Sequence, residues 1–333
     1  MVSDSTALAG GLRASARSTP DAAARAQFPD ARRWLQLGLA AIWLLDGILQ
    51  FQSFMFTNGF SQMLAGTAPG NPAVIADPIN WTSRLITDHP VATNTTFAAI
   101  QVLLGLGIGN RRTVKVALAA SIAWALGVWW FGEGLGGILS GSASPVNGAP
   151  GAVIIYALLA VLLWPVAGDQ DDAHPAPFVA ARPVGPALAK AAWLILWGSL
   201  AYFAVTAANR TAQGLHDMVA GMASGEPGWL AAVNRAAASL LNNHGLTASI
   251  ILAVLLAVIA VGVFLPVSLA RATIILAIVL ALAIWIAGQD LGTILAGGAT
   301  DPNSGLLLAL LAAAYWPAAR RPALTPETQG ELE

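Results

Sequence analysis

The chain of 333 residues carries 10% charged and 56% hydrophobic residues, whereas a soluble domain typically carries about 25% charged residues. Its net charge of -1 provides no basic surface, so we expect no nucleic-acid partner. The absence of cysteine excludes disulfides, thiolate metal sites and iron–sulfur clusters. This composition predicts an all-α integral membrane protein that has the lipid bilayer as its main surroundings.

Eight apolar segments follow one another along the chain, each near the ~17 to 25 residues that a transmembrane helix needs. They are 34–57, 92–110, 113–139, 150–167, 187–208, 246–265, 272–297 and 304–319. Cationic residues fall at the N-terminus, in every second connection and at the C-terminus: Arg32, Arg33, Arg111, Arg112, Lys115, Arg182, Lys190, Arg271, Arg320 and Arg321. The positive-inside rule therefore predicts a multi-pass protein of a bacterial plasma membrane with both termini in the cytoplasm.

The sequence also contains an internal repeat. Segments 58–90 and 213–245 share ten identical residues in 33 aligned positions, among them Gly70 and Gly225. We predict two four-helix repeats, 34–167 and 187–319, related by a two-fold axis along the membrane normal, because an even number of helices gives both repeats the same orientation. A disordered cytoplasmic arm (1–33), a cytoplasmic linker (168–186) and a cytoplasmic tail (320–333) complete the chain.

Two long connections, 58–91 and 209–245, face outward in this topology. Their apolar residues are spaced as in helices that lie along a surface, for example Ile75, Ile79 and Ile86. We expect each connection to form a short helix, a Gly-Pro turn and a second amphipathic helix. Together the two connections would cap the outer face of the bundle.

Asp46 is the first candidate for a functional role. A carboxylate inside a membrane costs several kcal/mol, so it indicates either a binding site or a packing contact between helices. Counting 1.5 Å per residue from Trp34 places Asp46 near mid-bilayer, with Gln50 one turn further along the same helix face. The functional interpretation is a site for a proton, a cation or a polar substrate.

Glu133 and Asp290 are nearly equivalent in the two repeats and approach the outer ends of their helices. Each lies within a Gly-x-x-x-Gly pair, Gly132 with Gly136 and Gly288 with Gly292, which predicts close helix packing. The two carboxylates are then either solvated interface residues or a pair that binds a ligand and shares acid and base chemistry.

Histidines provide further candidates. His89 and His244 occupy the same position in the two repeats, so they either cap helix starts or ligate a metal or haem iron between the repeats. His216 and Asp217 are adjacent in the second outward connection, where they form a candidate base or ligand. The sequence leaves open whether a metal, haem or quinone is bound.

The four-helix unit has a basic turn, Asn110-Arg111-Arg112, before a third helix rich in small residues that contains Trp124. In this it resembles the DoxX-type group of bacterial four-helix membrane proteins, here as a tandem duplication. The resemblance implies an accessory or redox-linked membrane subunit that associates with other membrane subunits. Two alternatives remain at this point: a small-solute or ion-coupled transporter that uses Asp46, and an outer-leaflet enzyme.

Overall fold

A computed structural model describes residues 30–166 and 176–318, and these residues form helices and loops without any β-strand. Most of the predicted N-terminal arm, part of the linker and all of the tail lie outside the described residues. In chain order the helices are α1 (Ala31–Leu49), α2 (Asn58–Ala65), α3 (Ala73–Asp88), α4 (Pro90–Gly109), α5 (Val114–Phe131), α6 (Ala152–Leu162), α7 (Ala181–Ala204), α8 (Ala207–Arg210), α9 (Gly214–Met222), α10 (Gly228–Leu241), α11 (Gly245–Gly262), α12 (Val267–Ala287) and α13 (Asn303–Ala313).

Within residues 30–166 and 176–318, five helices are long and apolar enough to cross a membrane: α4, α5, α7, α11 and α12. Helices α4, α5, α11 and α12 are apolar around their whole circumference, as expected where lipid covers the faces that protein does not. Helices α6 and α13 are also apolar but have 11 residues each, which extends only about 16 Å. The protein is therefore an all-helical, membrane-embedded chain.

Several helices end earlier than the apolar segments predict. The first segment was expected to continue to residue 57, but α1 ends at Leu49 and places Asp46 in its last turn. The third and seventh segments were expected to reach residues 139 and 297, but α5 ends at Phe131 and α12 at Ala287. Apolar residues continue past these ends into the following loops, where Phe51, Leu139 and Leu295 are exposed, so hydropathy alone does not mark where the helices stop.

The prediction that the Gly-x-x-x-Gly pairs allow two helices to pack closely is wrong, because the second glycine of each pair lies in a loop. Gly136 lies beyond the end of α5 with a φ of 64°, and a Cβ atom there would lie 2.1 Å from the Pro150 carbonyl oxygen. Gly292 has a φ of 78°, and its Cβ would lie 2.5 Å from the Pro302 carbonyl carbon. These glycines allow a sharp loop to pack against backbone, a role that requires both a left-handed φ and the absence of a side chain.

The same pairs of helices contact each other in the two halves of the chain. Helix α1 packs along α4 as α7 packs along α11, and α5 packs on α6 as α12 packs on α13. Helices α6 and α13 contact each other, and each also contacts the first helix of the other half, α7 and α1 respectively. One continuous apolar core runs through all of these helices, and its largest buried rings are Trp43, Trp193, Trp197, Tyr156 and Tyr315.

The outward connections form the predicted pairs of helices. Helices α2 and α3, which we call the first cap, pack against each other, and α9 and α10, the second cap, do the same. The buried face of α3 carries Ile75, Ile79 and Ile86, the residues whose spacing predicted it. Gly70 and Gly225, with φ values of 80° and 84°, form the turns between the paired helices.

The two halves also share a distinctive connection, which we call the first junction (132–153) and the second junction (288–305). Trp129 donates its indole N–H to the Pro150 carbonyl at 2.8 Å, and Trp285 donates to the Pro302 carbonyl at 2.6 Å. In both cases a long-helix tryptophan holds the loop that leads into the next, shorter helix. The first junction borders the candidate site.

A polar cavity as candidate functional site

A cavity of about 870 Å³ lies between the first cap and the helices α1, α4, α5 and α6. This volume is in the range of small-molecule binding pockets. Its carboxylates are Asp46, Glu133 and Asp301; its other polar groups include Gln50, Gln101, Ser144 and Asn303; and its aromatic walls are Trp43, Phe60, Trp81, Phe97, Trp124 and Phe131.

Asp46 lies at the inner wall of the cavity and is almost completely buried, with 1% of its surface exposed. Tyr156 of α6 donates its hydroxyl proton to Asp46 Oδ2 at 2.5 Å, a short charge-assisted distance. The Tyr156 ring packs against Trp43, with 4.3 Å between ring centroids, and Trp43 donates to Ser121 Oγ at 3.0 Å. Three helices therefore fix the orientation of the Asp46 carboxylate.

Glu133 stands at the other end of the cavity, where the first junction meets the N-terminus of α6. Its Oε1 accepts a hydrogen bond from the Val153 backbone N–H at 3.3 Å. Burial, and after it the negative charge of Asp301, raises the pKa of Glu133 to about 8, although the backbone N–H groups of Val153 and Ala152 act in the opposite direction. The carboxyl group is therefore largely protonated at neutral pH when the cavity holds no cation.

Asp301 reaches this cavity from the other half of the chain. Its Oδ1 accepts from the Asn303 backbone N–H at 2.7 Å and its Oδ2 from the Thr300 hydroxyl at 2.8 Å. The loop that carries Asp301 packs closely on the first junction at Gly148, because a Cβ atom on residue 148 would lie 2.3 Å from Asn303 Oδ1. Burial also raises the pKa of Asp301, while these two hydrogen bonds lower it.

The cavity is acidic, and several of its polar groups are available for a ligand. No lysine, arginine or histidine occurs among the described residues that line it. Six polar atoms of lining residues are buried without a hydrogen-bond partner in the described part of the chain: Asp46 Oδ1, Gln50 Oε1, Gln101 Oε1, Trp124 Nε1, Glu133 Oε2 and Ser144 Oγ. Buried polar atoms are normally paired, so this concentration points to a polar ligand.

The second junction has the same backbone plan, but an amide takes the place of the Glu133 carboxylate. Gln289 takes the place of Glu133, since its Oε1 accepts from the Gly305 backbone N–H at 3.0 Å as Glu133 Oε1 accepts from Val153. Its Nε2 donates to Ser304 Oγ and to the Pro145 carbonyl, at 3.0 and 3.1 Å. The glutamine side chain is fully hydrogen-bonded.

The helix positions that carry Asp46 and Tyr156 in the first half are apolar in the second. Leu200 follows Trp197 by three residues, as Asp46 follows Trp43, and is equally buried. Leu308 lies six residues after Pro302, as Tyr156 lies six residues after Pro150, and is also buried. These leucines belong to the continuous apolar core, so polar lining is a property of the first half.

The structure does not bring Asp290 to this cavity. Asp290 is buried in the second junction next to Asn234 of α10, and its backbone is left-handed with a φ of 50°. Burial, with a smaller contribution from the negative charge of Glu226, raises the pKa of Asp290 to about 6, although the Asn234 side chain acts in the opposite direction. Glu133 and Asp290 thus occupy separate environments and do not form one shared site.

The candidate histidines also lie outside the cavity. His89 and His244 are both exposed, each directly before a long helix, and His244 Nδ1 lies 2.6 Å from the Asn242 carbonyl oxygen. His216 Nδ1 is 2.9 Å from Asp217 Oδ1, in an ion pair in which 73% of the Asp217 side chain is exposed. Within the described residues no group of three histidine or acidic side chains is arranged to hold a metal ion.

The sequence reasoning missed Asp301, Tyr156, Gln101 and Asn303. Asp301 lies in a polar loop that looks solvated in sequence, and only the Gly148–Asn303 contact brings it to the cavity. Tyr156 offered a signal, because it is the one hydroxyl in the apolar helix Ala152–Leu162. A lone hydroxyl in such a helix needs a hydrogen-bond acceptor, and Asp46 is a buried acceptor of the same bundle.

No protein-family model, curated protein or solved structure matches this chain.

Proposed function

We propose that the protein binds a small protonated amine in the cavity of its first half and carries it across the membrane. The observation that carries this proposal is the charge of the cavity: three carboxylates line it, and no basic side chain does so among the described residues. A buried carboxylate is strongly stabilised by an opposite charge, and a ligand cation is the partner that the lining side chains do not supply.

The unpartnered atoms specify the kind of cation. Four of the six are acceptor oxygens, from Asp46, Gln50, Gln101 and Glu133. An ammonium group brings several N–H donors and no acceptor, as a lysine side chain does. The aromatic walls contribute further, because the face of an indole or phenyl ring attracts a desolvated cation. The ligand class is therefore a small primary or secondary amine with a short apolar chain.

We also propose a membrane topology of eight crossings in two parallel four-helix units, with both termini in the cytoplasm of a bacterial plasma membrane. The recurring helix pairs, the paired junctions and the ten identities between the outward connections support a duplication. Helix α1 and the apolar segments 150–167 and 304–319, which contain α6 and α13, would supply the three crossings beyond the five long helices. In this topology the cavity lies under the outward-facing first cap.

The function of an accessory or redox-linked subunit stays a prediction that depends on the resemblance to DoxX-type proteins. The histidines that motivated its haem form are exposed and lie outside the cavity. The enzyme hypothesis needed Glu133 and Asp290 at one site, and these residues line different environments. We therefore base the proposal on the cavity, and amine transport accounts for its composition best.

Isothermal titration of the protein in lipid nanodiscs with 1,4-diaminobutane tests the proposal. We expect saturable binding of the diamine and none of 1,4-butanediol, its uncharged isostere. Asp46→Asn should weaken binding strongly, whereas the matched control Asp217→Asn should leave it unchanged because Asp217 is exposed outside the cavity. Proteoliposomes should accumulate labelled diamine with wild-type protein only. Equal binding of diamine and diol, or equal affinity of the two variants, would overturn the proposal.

A further inference from the structure

Glu133 differs from the other cavity carboxylates in the way it is held. Asp46 receives the Tyr156 hydroxyl proton and Asp301 receives two hydrogen bonds, so each of these carboxylates has a strong donor that favours its ionised form. Glu133 receives no side-chain donor: the Val153 N–H donates to Oε1 at 3.3 Å, the Ala152 N–H is a second backbone donor, and Oε2 is buried without a partner in the described chain, as Asp46 Oδ1 also is. A carboxyl group without a side-chain donor, with one oxygen unsatisfied and no cation nearby, is best accommodated as the neutral acid.

Asp301 faces Glu133 from the loop before α13, and its negative charge raises the pKa of Glu133, whereas the backbone N–H groups of Val153 and Ala152 lower it. Tyr156 of α6 also lies near enough to interact with the Glu133 charge, and Asp46 of α1 lines the same cavity. No basic side chain occurs in the described lining of α4, α5 or the first cap. A bound cation would be the first positive charge in this environment. Binding of the cation would lower the pKa of Glu133 and favour its ionised carboxylate form.

We infer that Glu133 exchanges its proton for the amine, so that binding one ammonium group releases one proton from the Glu133 carboxyl group. This inference rests on the proposed function and adds its coupling: amine binding and proton release are one event, as an amine–proton antiporter requires. The step is balanced, since the O–H bond of Glu133 breaks, the proton leaves to solvent, and the carboxylate forms an ion pair with the incoming ammonium group. No other reactant is needed.

The structure itself shows that the matched variant is compatible with the fold. Gln289 occupies the equivalent position in the second junction and accepts the equivalent backbone hydrogen bond from Gly305. Glu133→Gln therefore keeps the shape and the Val153 contact and removes only the exchangeable proton. Burial holds the pKa of Glu133 at about 8, so the exchange operates across the physiological pH range.

The test measures diamine binding and proton release together. Titrations of 1,4-diaminobutane at pH 6.5 in two buffers with different protonation enthalpies give the number of protons released per diamine bound. For wild-type protein we expect about one proton and an affinity that improves about tenfold per pH unit up to pH ~8, since the carboxyl must ionise first. Primary amines keep their own proton over this range.

Two variants assign the proton. Glu133→Gln should bind the diamine through Asp46. We expect no proton release in this variant and a diamine affinity that does not change with pH. Asp301→Asn should still release a proton when the diamine binds. The pH at which the affinity stops improving should be lower than in wild type, because the neighbouring negative charge that raises the pKa of Glu133 is gone. Binding without proton release in wild type, or an unchanged slope in Glu133→Gln, would overturn the exchange and leave amine binding intact. No diamine binding at any pH up to 9 would overturn the proposed function and the exchange with it.

Discussion

The first and second junctions have the same backbone arrangement but different surroundings. Both follow a long helix, both use a tryptophan N–H to hold a proline carbonyl, and both place a residue of glutamate size beside the next helix start. The first junction borders a cavity with three carboxylates, while around the second the matching positions hold Gln289, Leu200 and Leu308. The positions that match Asp46, Glu133 and Tyr156 are therefore filled without a carboxylate, although the second junction has its own buried acid, Asp290, and supplies Asp301 to the cavity.

If Asp46, Glu133 and Tyr156 were needed for packing, the matching positions of the second half would be expected to carry similar groups, since its helices pack in the same pairs. They hold Leu200, Gln289 and Leu308 instead. We infer that these three polar side chains of the first half serve a ligand, because buried charges are costly.

Converting the first half to the composition of the second should have the largest effect. The double variant Asp46→Leu with Tyr156→Phe removes the carboxylate that would pair with the bound ammonium group. Loss of one partner of a buried ion pair costs about 3 kcal/mol or more of binding free energy. We therefore expect the diamine affinity to fall by at least ~100-fold. Titration calorimetry measures this loss. Thermal unfolding should show that the variant is at least as stable as wild type, and a clear drop in its Tm would mean that Asp46 is a structural residue.

The pH dependence of stability should distinguish Glu133 from Gln289. The folded-state pKa of Glu133 is about 8 against an ordinary value of 4.5, so the folded protein binds the proton more tightly than the unfolded chain. Stability without ligand should therefore be highest below pH 4.5 for this group and fall as the pH rises to 8, by an amount on the order of a few kcal/mol.

The variant Glu133→Gln should lack this fall, so the difference in unfolding free energy between wild type and variant should change with pH. Chemical denaturation at several pH values, without amine, measures it. Asp301 and Asp290 also have raised pKa values, but they contribute equally to both proteins. A pH-independent difference would show that Glu133 is ionised in the empty cavity.

The two tryptophans of the first and seventh helices should respond differently to the same change. Trp43 donates to Ser121, whereas Trp197 Nε1 has no partner among the described residues. Trp43→Phe should lose about 1 kcal/mol of stability through the hydrogen bond and weaken amine binding, since Trp43 lines the cavity. Trp197→Phe should leave amine binding unchanged and lose only the stability that comes from packing of the larger ring. Equal effects of the two variants on stability and binding would contradict the difference between the two halves.

The smallest effects should come from the exposed histidines. His89→Ala and His244→Ala remove side chains that lie outside the cavity, so diamine affinity and unfolding free energy should each change by less than about 0.5 kcal/mol. The same titration and denaturation series measures both. A large loss of affinity in either variant would restore the histidine site that the sequence suggested.

The sequence predicts the class of fold and part of the site, for identifiable reasons. Membrane embedding follows from apolar run length, and the cap helices follow from the spacing of Ile75, Ile79 and Ile86. Asp46 and Glu133 are conspicuous because charge is rare in apolar segments. The ends of α5 and α12 were missed because the loops that follow them are as apolar as helices, although the glycines at 132–137 mark the first of them.

The rest of the site depends on contacts that no local pattern contains. Asp301 becomes a cavity residue only because Asn303 packs on Gly148, more than 150 residues away in the chain. Asp290 has the same local signature as Glu133, an acid after a long apolar helix, yet it faces Asn234 and stays out of the cavity. Tertiary packing decides which of two similar carboxylates meets a ligand.

The most direct test of the central claim is a high-resolution structure of the protein in complex with 1,4-diaminobutane. The account predicts that an ammonium nitrogen lies within about 3.2 Å of a carboxylate oxygen of Asp46 or Glu133, inside the cavity of the first half. A diamine bound only at exposed carboxylates such as Asp217, or a cavity filled by lipid in its presence, would contradict it.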